Sequence, residues 1–289
     1  MTPAHGVSIR IFLADGRPEG LRLVEKSNWT GIGVICARSE YPSARSREEY
    51  QRPGVYLLSG PAQSGLTSGR IYVGEADELR SRIDKQAKEK DFWTSVLAFT
   101  SKDANLNKAH VRYLESRLIG MAQTAMRWEL ENGTAPPLPH LSEPDRADME
   151  GYLSEMLLVL PLLGVPAFDV PATPSPLGGE VLRLKGKGGA DGRGIDRPDG
   201  FVVLEGSTAR PDSVPSIQEW MAALRSELMD AGILAPAGGL LKMTKAHVFD
   251  SPSSAAGVLL GRSANGRIEW KDSGGRTLKE IQAAQLGGR

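Results

Sequence analysis

The sequence predicts an α/β chain of the α+β type: a small sheet flanked by helices, followed by a second small α+β domain. Three observations carry this. Short apolar runs of strand length recur over the first hundred residues, segments with apolar residues at helical spacing follow them, and proline and glycine dominate from Pro171 to Gly200. At 289 residues the chain exceeds an average domain, so two compact units are expected.

Residues 7–36 alternate apolar and polar in two bursts, Ser8-Ile9-Arg10-Ile11-Phe12-Leu13 and Gly31-Ile32-Gly33-Val34-Ile35-Cys36. Asp15-Gly16 and Pro18-Glu19-Gly20 between them are turn signals, so residues 1–49 read as an N-terminal β extension with its connector. Arg38, Arg45, Arg47 and Arg52 cluster in the polar stretch from Arg38 to Arg52, either as a solvated linker or as a contact to a nucleic-acid backbone. A core unit at 50–140 follows. Tyr56-Leu57-Leu58 and Ile71-Tyr72-Val73 flank a Gly/Ser-rich loop, which predicts a hairpin with a long connection.

Asp77 is placed to cap the next helix, where Leu79, Ile83 and Ala87 repeat at helical spacing. A strand over Ser95 to Thr100 precedes a helix from about Lys108 to Met126, with Val111, Leu114, Leu118, Ala122 and Ala125 as its buried stripe. Pro136, Pro137 and Pro139 end this unit. A helical extension at 141–170 carries Met149, Leu153, Met156, Leu157 and Leu160 inward. The Pro/Gly-rich stretch 171–199 reads as a linker. Its Lys185-Gly186-Lys187-Gly188-Gly189 run lacks the spacing of a phosphate loop and suits a flexible segment or an exposed hairpin.

The accessory domain, 200–289, opens with a strand at Phe201 to Leu204. Ser216 with Glu219 forms a capping box for a helix carrying Ile217, Trp220, Leu224 and Leu228, which Gly232 ends. A short helix near Ser253 to Leu260, a strand from Arg267 to Lys271 behind the turn Asn265-Gly266, and a final helix opened by Thr277 complete it. No internal repeat is visible.

With 40% hydrophobic and 24% charged residues the chain has enough apolar material for real cores. Cys36 is the only cysteine, which excludes an internal disulfide and suits a reducing compartment; with four scattered histidines it also excludes a structural zinc site. The start, Met1 to Val7, lacks a signal-peptide pattern, and the longest apolar run, Met156 to Val165, contains Pro161 and is too short to span a bilayer. A soluble, cytoplasmic protein with no membrane partner is expected. The formal net charge of zero argues against a nucleic-acid coat protein, though not against a local basic groove.

Gly54-Val55-Tyr56 and Tyr72-Val73-Gly74 stand on the two strands of the predicted hairpin; Arg82 follows on the first helix and Tyr113-Leu114-Glu115 on the second. In this order and spacing, over roughly Gly54 to Asn132, the chain resembles the GIY-YIG nucleases, a family named for those two tripeptides. The resemblance implies a metal-dependent endonuclease that hydrolyses DNA phosphodiester bonds, in restriction, defence or repair, with RNA left open as a substrate. It implies that Tyr56 and Tyr72 face the scissile phosphate, one of them helping to activate water; that Arg82 stabilises charge on the phosphate; and that Glu115 holds one Mg²⁺ or Mn²⁺, with Asn132 helping to fix the metal site. The chemistry agrees: hydrolysis needs an activated water and donors for the developing charge, and a phenol of pKa about 10 acts as a base only in a positive field.

Two positions depart from the family pattern: Gln86 stands where many members have histidine, and Glu75 where some have lysine. Glu75 removes a positive charge and adds a potential metal ligand, and Lys108 or His110, preceding Glu115, is placed to compensate. An alternative function is therefore nucleic-acid binding or targeting through a degenerate site; a protein-interaction scaffold is a third. The segment from Phe249 to Ala256 with Gly261, Asn265-Gly266 and Trp270-Lys271 resembles an uncharacterised module appended to GIY-YIG and restriction-type proteins. It reads either as a DNA-binding or targeting module or as a packing domain, with Trp220 and Trp270 as stacking platforms or as core. Oligomeric state is not legible.

Overall fold

Period-two alternation in the N-terminal half builds one sheet out of segments that the sequence reading kept apart. The computed structural model describes residues 6–63, 67–103, 105–168, 180–198, 200–215 and 217–287. Contacts divide the chain into two units, the first comprising Met1–Gln63 and Thr67–Val170 and the second Pro171–Arg289.

In the first unit, strands β1 (Ile9–Leu13), β2 (Arg22–Lys26), β3 (Gly31–Ala37), β4 (Gly54–Gly60), β5 (Arg70–Ala76), β6 (Ser95–Ser101) and β7 (Glu129–Leu130) form one sheet in the order β1-β2-β3-β6-β4-β5-β7. β3 pairs with β6 along its whole length, Gly31 opposite Ser101 and Ala37 opposite Ser95. The predicted N-terminal extension is thus continuous with the hairpin sheet, a long-range pairing that no local pattern announces. A short α1 (Tyr41–Ala44) lies in the connector.

Alternation along β4 and β5 sends Val55, Leu57, Ile71 and Val73 to one face and Tyr56, Leu58 and Tyr72 to the other. Helix α2 (Leu79–Glu89) covers the tyrosine face with Leu79 and Ile83. Its N-cap is Glu78, which makes no side-chain cap bond; Asp77, the predicted cap, pairs with Lys108 instead. Helix α3 (Lys108–Ala125) covers the opposite face with Val111, Leu114, Leu118 and Ala122, and Asn107 caps it by accepting from the Ala109 and His110 amides. Helix α4 (Glu143–Val159), capped by Ser142, adds Met149, Leu153 and Met156 to the same core.

The second unit contains β8 (Leu182–Lys185), β9 (Asp191–Arg197), β10 (Gly200–Val203), β11 (Thr208–Ala209), β12 (Leu234–Ala237), β13 (Leu240–Met243) and β14 (His247–Phe249), in the order β12-β13-β11-β9-β10-β14 with β8 on β9. Helices α5 (Glu219–Asp230), α6 (Pro252–Leu260), α7 (Gly266–Glu269) and α8 (Leu278–Gly287) pack with it. Three expectations are corrected here. The predicted linker carries a hairpin, β8–β9, that lies inside the sheet; its glycines are core positions, because a Cβ at Gly192 would meet Leu259 and Trp270, and one at Gly194 would lie 2.4 Å from the Phe201 ring.

The helix expected behind Ser216 starts at Glu219, and Ser216 itself lies outside the described residues. Its inward face is Met221, Arg225 and Leu228, which leaves Trp220 52% exposed. Arg225 is tolerated inside because its guanidinium donates to the carbonyls of Val258, Arg210 and Pro211. Finally, Asn265-Gly266 opens not a strand but the one-turn α7: Asn265 caps it, its side-chain Oδ1 accepting from the Arg267 backbone N–H at 3.1 Å. The last helix does begin with a capping box, Thr277 and Glu280 bonding reciprocally.

Candidate active site

Register places both phenols together. Tyr56 lies opposite Gly74 and Leu58 opposite Tyr72, and cross-strand partners share a face, so the two tyrosines stand diagonally on the side covered by α2. Their ring centroids are 6.2 Å apart. The Tyr56 ring lies across Gly74, where a Cβ would come within 2.3 Å of Cζ and 2.4 Å of the hydroxyl. The glycine of the second tripeptide is therefore a packing requirement of the first tyrosine. Tyr56 is fully buried, and its hydroxyl has no hydrogen-bond partner among the described residues. Tyr72 is half-buried, with the Lys90 ammonium 4.5 Å from its ring centroid.

Arg82 projects from α2 between the buried Leu79 and Ile83. Burial opposes its charge, but the phenols Tyr56 and Tyr72, with Glu75 behind them, outweigh that and hold the guanidinium ionised. Burial, then the neighbouring Tyr72, pushes the Tyr56 phenol well above its ordinary value despite Arg82. Glu115 sits on α3 at the rim of the Val111–Leu114–Leu118 stripe. Partial burial first, and the Glu75 carboxylate second, raise its pKa from 4.5 to about 7 against the pull of Arg82, Arg112 and Lys108. Tyr56, Tyr72, Arg82 and Glu115 are thus linked in one electrostatic neighbourhood.

Two helices on opposite faces can meet there because β5 lies near the margin of the sheet. Only Arg70 and Ile71 pair with β7. Beyond them the Asn132 amide closes the edge at Val73, accepting from its N–H at 2.9 Å and donating to its carbonyl at 2.8 Å. Among the described residues no strand pairs with this edge from Gly74 onward. Asn132, expected near a metal, has its amide engaged as a backbone mimic that holds β5 in place.

Lys108, at the first position of α3, donates to Glu75 Oε2 at 2.9 Å and lies 3.3 Å from Asp77 Oδ2. With Glu78, Ser81 and Arg82 these residues line an open cleft of about 450 Å³, in which three carboxylates face two cations. Sequence reasoning singled out Lys108 only as a neighbour of Glu115 and missed Lys90. His110 turns elsewhere, with Nδ1 3.0 Å from the Asn105 carbonyl and Nε2 3.7 Å from Asp145. Gln86 is buried one turn beyond Arg82, its carbonyl oxygen without a partner among the described residues.

The connector arginines are tied down within the unit: Arg38 to the Ala87 and Asp91 carbonyls, Arg45 to Asp84, Arg47 to Glu49, and Arg52 to Ser101 and Glu48. In the second unit Trp270 is core, its ring centroid 4.6 Å from that of Phe201 and tilted by 39°, so, of Trp220 and Trp270, Trp220 remains accessible.

Among the described residues no group of three or more His, Cys, Asp or Glu side chains is arranged to hold a metal. One carboxylate ligand, or two, does suit Mg²⁺ or Mn²⁺, which keep most of their waters. Three carboxylates, Glu75, Asp77 and Glu78, against two cations in the cleft are a donor set of the kind a hydrated hard cation would fit.

The chain is thus a mixed α+β protein with two sheets, the first carrying a phenol, guanidinium and carboxylate site at its margin. Residues 182–282 match the family described as a domain of unknown function, DUF4357, a match that lies within the second unit and includes the β8–β9 hairpin. No curated protein and no solved structure matches the chain at a significant level. No helix among the described residues is long and apolar enough to cross a membrane.

Proposed function

We propose that the first unit is a metal-dependent endonuclease of the GIY-YIG type that hydrolyses DNA phosphodiester bonds, in restriction, defence or repair. The observation that carries this reading is the convergence of Tyr56, Tyr72, Arg82 and Glu115 at the margin of β5. Arg82, exposed and held charged, binds a non-bridging phosphate oxygen and stabilises the charge that builds on it, an effect worth about 3 kcal/mol for a well-placed donor. Tyr56 keeps its proton and serves as a donor behind the phosphate. Tyr72, the more accessible phenol, orients the attacking water. A hard divalent ion held by Glu115 supplies, when bound, the positive charge that neutralises the phosphate. The second unit serves in DNA binding or targeting, with Trp220 as its accessible aromatic side chain.

Labelled single- and double-stranded DNA and RNA, incubated with Mg²⁺, Mn²⁺ or a chelator, test the reading. Cleavage is expected only with metal and is expected to vanish in Glu115→Ala while the fold persists. Full activity in that variant with unchanged metal dependence refutes the assignment. Binding without cleavage under every condition favours the alternative, a nucleic-acid-binding protein with a degenerate site, which the raised Tyr56 phenol and the cation seated between Glu75 and Asp77 would then explain.

A further inference from the structure

We propose that Lys90 binds a phosphate flanking the scissile one, so that the substrate strand passes Tyr72 between Arg82 and Lys90. The inference rests on the nuclease reading above and adds a second phosphate contact to it. Lys90 is fixed by the chain around it. It ends α2 as the C-cap, its backbone N–H donating to the Gln86 carbonyl at 2.9 Å and its own carbonyl accepting from the Trp93 indole N–H at 3.1 Å. From that anchor the half-buried side chain carries its ammonium to 4.5 Å from the Tyr72 ring centroid, within one nucleotide's reach of the phenol hydroxyl. Arg82 stands eight residues earlier, about 12 Å back along the α2 axis, and acts on the same phenol.

What sets Lys90 apart is the charge it leaves unanswered. Among the described residues of the first unit, three cations lie over aromatic rings. Arg38, over Trp93, also donates to the Ala87 and Asp91 carbonyls, and Arg70, over Phe92, also pairs with Glu131. Lys90 has the Tyr72 ring but, among the described residues, no carboxylate in contact, although Glu89 and Asp91 flank it in sequence. Arg82 likewise has the two phenols as neighbours and no carboxylate in contact. Lys108, by contrast, is neutralised by Glu75 and Asp77. A ring face holds an ammonium in place without cancelling its charge, so Lys90 stays available to an anion. Two such cations spaced along one helix and converging on one phenol suit a ligand whose negative charges repeat along a chain.

The test is a methylphosphonate scan on the full chain. The two phosphates on each side of the scissile bond are replaced one at a time by the uncharged group, with DNA binding read in chelator and cleavage in Mg²⁺. In the wild type one flanking replacement should lower affinity, and with it kcat/KM, by about five- to ten-fold near 0.1 M salt, the factor that one lost phosphate contact carries there. Lys90→Met should show the same loss on unmodified DNA, raise KM more than it lowers kcat, and reduce the slope of log K against log salt by about 0.7–0.9. In that variant the sensitive replacement should bring no further loss, since the two changes remove one contact. Lys90→Arg, which keeps the charge, should retain the wild-type slope, and unfolding midpoints control for folding. A wild-type salt slope in Lys90→Met, or a flanking phosphate as important there as in the wild type, overturns the proposal. So does a wild-type scan with no sensitive flanking position, a result that needs no variant to fold. Cleavage that depends on Arg82 but not on Lys90 leaves the nuclease reading standing and removes this inference alone. If the wild type neither binds nor cuts DNA, both fall together.

Discussion

Replacing Glu115 by glutamine should make the metal-free protein more stable in mild alkali, the reverse of what loss of a structural carboxylate does. An ordinary glutamate titrates near 4.5, and burial with the Glu75 charge raises Glu115 to about 7. Between those values the unfolded chain ionises while the folded protein keeps its proton. The group's contribution is therefore full below pH 4.5 and is lost as pH rises through 7. At about 1.4 kcal/mol per pH unit the ceiling is roughly 3.5 kcal/mol. Glu115 remains partly exposed, and screening brings the expected effect to about 1–2 kcal/mol. Glutamine carries no such cost. Urea unfolding in the presence of a chelator should show little difference between wild type and Glu115→Gln at pH 4.5, and a gain of that size for the variant at pH 8. Mg²⁺ should then stabilise the wild type at pH 8 and narrow the gap. A variant no more stable than wild type at pH 8, or a gap that does not change with pH, would refute the reasoning.

Four further outcomes are expected. Gly74→Ala should destabilise the first unit by about 1–3 kcal/mol and abolish cleavage, because the new methyl displaces the Tyr56 ring; unfolding and cleavage assays read both. Arg82→Ala should lower turnover by two to three orders of magnitude, about 3 kcal/mol, with only modest loss of DNA affinity; equal losses would mark it as an ordinary phosphate anchor. Asn132→Ala should cost about 1–2 kcal/mol of stability by unclipping Val73 while leaving Mn²⁺ affinity unaltered, which separates an edge staple from a metal ligand. A fragment spanning 180–289 should melt cooperatively, whereas one starting at 200 should not, since it removes β9 from between β10 and β11.

The legible parts were those governed by local period. The stripe Val111, Leu114, Leu118 placed α3, and the two apolar runs around Tyr56 and Tyr72 placed their hairpin; that the phenols share a face was implied by the family resemblance and appears in the strand register. The illegible parts had no local signature. The Lys108–Glu75 contact joins positions 33 apart in the chain, through the end of a strand and the start of a helix. Density of glycine made β9 look like a linker, whereas Gly192 and Gly194 are small because Trp270 and Phe201 lie over them. Amphipathic reasoning also assumes that charge points outward. Arg225 defeats that assumption by satisfying its guanidinium on three carbonyls; Leu224 and Leu228 pack on the core as expected, while Met221 takes the inward place expected of Trp220.

Continuity of β3 with β6 bears on how portable the tyrosine hairpin can be. β6 lies between β3 and β4, and its Val96-Leu97-Ala98-Phe99 run is buried on both faces. A cassette cut at residue 50 would keep every residue of the tripeptides yet bare the whole flank of β6, a flat apolar strand open to pairing with any neighbouring chain. In this protein the first fifty residues work as a guard rail. They decide whether the hairpin can be moved, fused or excised without self-association, a question separate from the chemistry proposed for its phenols.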